Sequence, residues 1–249
     1  MEDREPARDI TASQTQRQAQ SRKRTLLIVA VSIFIVIAVV IAAVPLVRTL
    51  LFSHGVKTEG IDRGHVSAAG TDIDGDWEVS RRPERNATSA GFTFDEVLPG
   101  ERRSTSASTD EVSGWATIES GTLTAGEITV DMTHLTSDSD VRDESVRQRI
   151  LHTAQYPEAT FKVTQPADVS GVPGDGTVGS VELTGDLTIH GTTRQISQQF
   201  DVARSGKSLI VAADIPINRL DYGVETPELV AAKIHEEGKV NVRVNMQKR

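Results

Sequence analysis

The chain contains no cysteine in 249 residues. Disulfides, thiol chemistry and thiolate-bound metals are therefore excluded, and an exported domain must hold together by its core, which a unit of well over ~100 residues can do. Aromatic residues make up only 4% of the chain, which favours an aliphatic, lipid-like ligand for any apolar interior. Positive charge is not in excess either: the formal net charge is −8, which argues against nucleic acid or anionic lipid headgroups as the main partner. No HxH, HExxH or matching His and carboxylate spacing joins the six histidines, so no metal site is expected. GxSxG, GxxxxGK[ST] and paired-carboxylate motifs are missing as well, so the chain reads as a non-enzyme without a cofactor. No internal repeat of fixed period is visible.

What is present begins with Thr25 to Val47, TLLIVAVSIFIVIAVVIAAVPLV, an uncharged run long enough, at about 1.5 Å per residue, to cross a hydrocarbon core of roughly 30 Å. A cleavable signal peptide is the competing reading, with Ala42 and Ala43 as its small residues, but its apolar region would span only about 7 to 15 residues. Arg22, Lys23 and Arg24 precede the run and Arg48 alone follows it, so the positive-inside rule puts the N-terminus in the cytoplasm and the remainder outside. The expected organisation is a polar cytoplasmic tail (1–24), a single transmembrane helix (25–47), a tether (48–74) and an extracytoplasmic domain (75–249). The tail carries six basic and four acidic residues, leaving 21 basic and 31 acidic residues beyond the helix, a net of −10.

From Trp77 onward, short period-two segments recur between turn residues, the spacing of an antiparallel sandwich or barrel. Predicted strands cover 90–97, 112–119, 122–133, 160–165, 178–190, 194–202, 209–217 and 239–246. The last alternates Val240, Val242, Val244 and Met246 with Lys239, Asn241, Arg243 and Asn245. Asp138 to Leu151 has acids in its first turn and helical spacing of Val141, Val146 and Ile150, predicting a helix. Glu225 to Ile234, with Pro227 near its start and Gly238 beyond its end, predicts a second, shorter one. About eight strands and one or two short helices suit a mainly β, closed or nearly closed barrel whose interior can hold one small ligand.

The stretch VELTGDLTIHGTTR, Val181 to Arg194, is the most specific. Val181, Leu183, Gly185, Leu187 and Ile189 share its buried face, where a glycine marks a bend or a close approach. In order along the chain, Arg142-Asp143, YPEATF (156–161), GDLTIHGTTR (185–194) and INRLDYG (217–223) resemble the YceI-like family, over roughly Trp77 to the C-terminus. The resemblance implies a lipocalin-like eight-stranded antiparallel barrel with helical insertions, exported, enclosing an apolar tunnel for polyisoprenoid chains such as isoprenoid quinones or polyprenyl phosphates. Two departures stand out: ATSAGFTFDEV (87–97) lacks the histidine often found in that first strand region, and an anchor replaces the cleaved signal. The first puts a histidine-dependent headgroup contact near that strand in doubt.

Phe92, Phe94, Trp115, Ile118, Phe161, Gly185, Leu187, Ile189 and Ile215 are the candidate tunnel lining; each of the side chains serves equally well as dry core filling, since alternation identifies the inward face and not whether it is empty. Arg142, Asp143, His190, Arg194 and Arg219 are candidate headgroup or structural polar contacts, with Asp221 the expected partner of Arg219, Asp143 that of Arg142, and Asp143 also a cap or brace for the Asp138 helix. Asn86-Ala87-Thr88 matches a short glycosylation sequon. The leading expectation is binding, sequestration or carriage of an isoprenoid lipid at the outer face of the membrane. The alternative is a cell-envelope structural or stress protein with a fully packed barrel and no ligand. Oligomeric state is not legible.

Overall fold

A computed structural model describes residues 57–81, 85–98, 101–226 and 233–249. The expected tail and transmembrane helix lie outside the described residues, as does most of the predicted helix at 225–234. No helix among the described residues is long and apolar enough to cross a membrane.

Eleven strands form one antiparallel sheet: β1 (Gly75–Val79), β2 (Ser89–Leu98), β3 (Glu101–Thr109), β4 (Val112–Glu119), β5 (Thr122–Asp131), β6 (Glu158–Val163), β7 (Ala167–Asp168), β8 (Val178–Ile189), β9 (Thr192–Ser205), β10 (Ser208–Asn218) and β11 (Lys233–Lys248). Strand β11 is long enough to pair along one edge with both β1, through Val79 and Met246, and β2, through Ala90 and Val242. Strands β3 and β4 pair with β2 and β1 in turn. The consecutive pieces β1/β2 and β3/β4 thus occupy one barrel position each, and the ladder runs through β5, β6, β8, β9 and β10 back to β11. The result is a closed eight-stranded antiparallel barrel.

Trp77 sits where the barrel closes. It is 1% exposed, its strand is bonded to β4 and β11, and its indole Nε1 donates to the Ile73 carbonyl at 2.8 Å. Residues 57–74, expected as a tether, follow the barrel wall: Thr58 and Ile73 are buried, and Arg243 donates to the carbonyls of Glu59 and Gly60.

Between β5 and β6 the chain makes helix α1 (Asp140–Ser145), which continues as a π turn over Val146–Ile150. Ser139 caps it by accepting from the Arg142 amide, as a serine before an acidic first turn should. The predicted helix over 138–151 is therefore present, shorter and with a wider final turn. At the other predicted helix, Lys233 and Ile234 already belong to β11, because the strand pairing with β2 extends that far.

Candidate functional site

The inward faces of the strands enclose a predominantly apolar cavity of about 570 Å3, within the ~300–1,000 Å3 of ordinary ligand pockets. Its wall includes Phe92, Phe94, Trp115 and Ile118. Phe161, Leu187, Ile189 and Ile215 complete the expected set of side chains. Trp115 touches the cavity only at its margin: it stands opposite Glu78 and Glu127 on the outer face of β4, 42% exposed, while its neighbour Ala116 faces in with Trp77. Gly185 is not in the wall, which corrects its reading as tunnel clearance. A Cβ there would stand 2.5 Å from the Lys162 carbonyl oxygen and 2.7 Å from the Phe161 ring; the missing side chain lets that ring cross β8. Gly238 serves Phe94 in the same way, a Cβ there falling 2.3 Å from the ring. Two glycines thus seat two inward aromatics.

The polar candidates come from three separate segments, and the barrel collects them at one end. Strands β8, β10 and β2 finish there, β9, β11 and β3 start there, and α1 lies on the loop between β5 and β6 at that end. Only Arg142 and Arg219 of the set reach the cavity wall. Asp143 is buried and accepts from the Ser137 amide at 2.8 Å and the Ser137 hydroxyl at 2.5 Å, so it braces the start of α1. Arg142 pairs with Asp138 and not with the expected Asp143, and Asp138 also takes Arg103 at 2.7 Å.

Asp221 does not partner Arg219 as expected. It faces Arg194, whose Nε donates to the Asp221 carbonyl at 2.7 Å and whose Nη2 stands 3.5 Å from the carboxylate. Arg219, 9% exposed, donates instead to the carbonyls of Val224 at 2.7 Å and His235 at 3.3 Å. The turn beneath it is set by Asn218, which accepts from the Leu220 amide, and by Gly223 at φ 67°, a left-handed conformation that glycine adopts without strain.

His190 has a partner that spacing along the chain does not reveal. His152, 38 residues away, places its Nδ1 3.1 Å from His190 Nε2, and the Tyr156 ring packs on His190 with centroids 4.4 Å apart. Both histidines sit at positive φ, 45° and 52°, uncommon for non-glycine residues. The pair pins the segment that follows the π turn to the end of β8. Burial, and then the positive charge His152 can carry, hold His190 below its usual value of 6.5, against a raising bond to the Tyr222 backbone.

That depression has a signed consequence. Above about pH 6.5 His190 is neutral folded or unfolded and pH has no leverage; below it the unfolded chain takes a proton that the folded one resists, so stability falls as pH drops. Denaturant midpoints measured between pH 8 and pH 5 should decline with acidification, and His190→Asn, which tolerates positive φ, should flatten that decline. An unchanged slope in the variant would remove His190 from the titration.

Asn86 is 4% exposed, and its amide bonds both the carbonyl and the amide of Asp62. The sequon is therefore folded away and is not a glycan acceptor in this fold. Among the described residues no group of three or more His, Asp or Glu side chains converges as a metal cluster would.

A closed eight-stranded antiparallel barrel around an apolar void defines the class of fold. The sequence profile of the YceI-like domain matches residues 77–246, and the chain belongs to the YceI-like family. It is 34% identical over 80 residues to a UPF0312 protein of Vibrio parahaemolyticus, covering 32% of this chain and 39% of that one. To the protein YceI of Escherichia coli it is 30% identical over 106 residues, covering 40% and 51%. The matched stretch thus spans about half or less of these curated relatives. Among solved structures, a polyisoprenoid binding domain from Saccharophagus degradans implicated in plant cell wall breakdown superposes with a TM-score of 0.54 at 19% identity, over 70% of this chain and 98% of that one. At that identity the likeness establishes the fold.

Proposed function

We propose that the chain binds, and sequesters or carries, a polyisoprenoid-type lipid, a quinone or a polyprenyl phosphate, in its barrel cavity at the outer face of a membrane anchored by residues 25–47. One observation carries the reading: a void of about 570 Å3 walled by aliphatic and aromatic side chains inside a YceI-like barrel. An isoprenoid tail has no polar atom to satisfy, and such a wall offers it none to lose. The Saccharophagus degradans domain, a polyisoprenoid binding domain of the same fold, supports the ligand class. A fully packed envelope protein requires no internal pocket, and the cavity counts against it. An anchor would hold the domain at the membrane that supplies so insoluble a ligand.

Native mass spectrometry of the full-length chain released from detergent micelles tests the reading. The expected spectrum carries an added mass that solvent extraction identifies as an isoprenoid. A chain that stays empty, and that takes up no long-chain polyprenol when supplied with one, would sink the proposal.

A further inference from the structure

We propose that the lipid chain enters and leaves the cavity sideways, through a seam between β9 and β10 that Arg194 and Asp221 clasp shut; this rests on the lipid-binding reading above. The two strands form a ladder only where Asp201–Ser205 meets Ser208–Ala212. Nearer α1, among the described residues, 192–200 are paired on their other side alone, to β8, and 213–218 likewise to β11. Pro216 lies in the free stretch of β10. It has no N–H to give a neighbouring strand, and prolines within sheets are confined to edges.

The side chains record the opening. Along β9 the inward positions run Val202, Phe200, Gln198, Ile196 and Arg194: the first two, at the ladder, are buried, the next two half-buried and the last exposed. Their neighbours on β8 stay buried throughout, Leu183 opposite Gln198 and Leu187 opposite Arg194. Polar side chains thus stand in inward register where β9 has lost β10. The cavity reaches both margins, with Phe200 and Val202 lining it from β9 and Ile215 and Ile217 from β10.

The two ends of the barrel are more firmly fastened. Val146 and Ile150 of the π turn line the cavity and cap one end. That cap is tied down by the Arg103–Asp138 pair at 2.7 Å, by Arg147 on the Leu135 carbonyl at 2.8 Å and by His152 on His190. At the far end Ile73, Leu123, Val169 and Met246 are buried in one core. Across the seam, by contrast, stands the Arg194–Asp221 clasp, whose side chains are 51% and 55% exposed, and exposed pairs hold weakly. Parting two free edges breaks no ladder hydrogen bond. A long apolar chain admitted along its length also avoids threading end-on past the cap.

The chain has no cysteine, so a pair of introduced thiols can be joined at one chosen place by a short bis-maleimide. Two locks are compared in the full-length protein, each against its own unlinked form: Arg194→Cys with Asp221→Cys across the seam, and Arg103→Cys with Asp138→Cys across the cap. Loading and release of a long-chain polyprenol, supplied in detergent micelles, are followed by native mass spectrometry of timed samples. The seam lock should slow both rates at least tenfold with the equilibrium affinity within twofold, and the cap lock should change the rates less than twofold. Rates slowed by the cap lock instead, by both locks alike or by neither overturn the seam as the route and leave lipid binding standing. Should the seam link not form, Arg194→Ala decides: both rates should rise at least threefold at unchanged affinity, and unchanged rates overturn the proposal. A wild type that takes up no polyprenol overturns the lipid reading itself.

Discussion

Trp77→Ala should lower the melting temperature by roughly 6–20 °C, the largest single-residue stability effect in the barrel. The indole is 1% exposed and donates to the Ile73 carbonyl, so truncation both opens a cavity and strands a buried acceptor. Large-to-small changes of a buried tryptophan cost about 3–5 kcal/mol, and in a domain of this size each kcal/mol moves the midpoint by about 2–4 °C. The position adds to the volume, since β1 is the short strand whose ladders to β4 and β11 close the barrel. Trp115→Ala is the control. That side chain is 42% exposed, and its loss should move the midpoint by no more than about 2 °C, as surface substitutions usually stay within ~0.5 kcal/mol. Thermal melts of both variants followed by circular dichroism give the comparison, and equal shifts would show that β1 does not close the fold.

The same contrast shows what alternation can and cannot reveal. Strand β11 was legible because Val240, Val242, Val244 and Met246 all face one way, and β10 because Leu209, Val211, Ala213, Ile215 and Ile217 do. Strand β3, ERRSTSAST, was not. Its inward Thr105, Ala107 and Thr109 are small or hydroxylated, and Ser106 and Ser108 of the other face are buried as well. Its outer face is organised by hydrogen bonds instead: Ser106 meets Thr93 at 2.8 Å, Thr93 donates to Asn241, and Asn241 donates to Asp214. A run of hydroxyls carries no hydrophobic period, so the strand reads as loop until the partner strands are known.

The site divides along the same line. The apolar wall follows from local pattern, and Gly185 on an inward face reads as a place of close approach. What approaches, the Phe161 ring, depends on the register between β6 and β8. His152 with His190, Asp221 with Arg194, and Arg219 with two carbonyls are likewise products of strand order at one barrel end. Nearest neighbours in sequence suggested Asp221 for Arg219 because charge pairs are usually local, but the turn over Arg219–Tyr222 sends the two side chains to different partners.

Val242→Trp should weaken isoprenoid binding by about three orders of magnitude while leaving the empty barrel as stable as before or more so. Val242 lines the cavity and lies between two alanines in register, Ala213 on β10 and Ala90 on β2, so a larger ring has lateral room and its only outlet is the void. The added ring atoms take the place of about one five-carbon isoprene unit. At about 0.8 kcal/mol per buried carbon, displacing that unit costs about 4 kcal/mol, or about a thousandfold in affinity. The empty protein gains instead, because apolar atoms fill space that held no partner atoms. Opposite signs on binding and stability distinguish a ligand chamber from a packing defect, which would gain stability with no binding to lose. Titration with a polyprenyl lipid alongside a thermal melt reads both. Affinity within threefold of the wild type, in a variant that melts no lower, would mean that the tail lies somewhere other than this cavity.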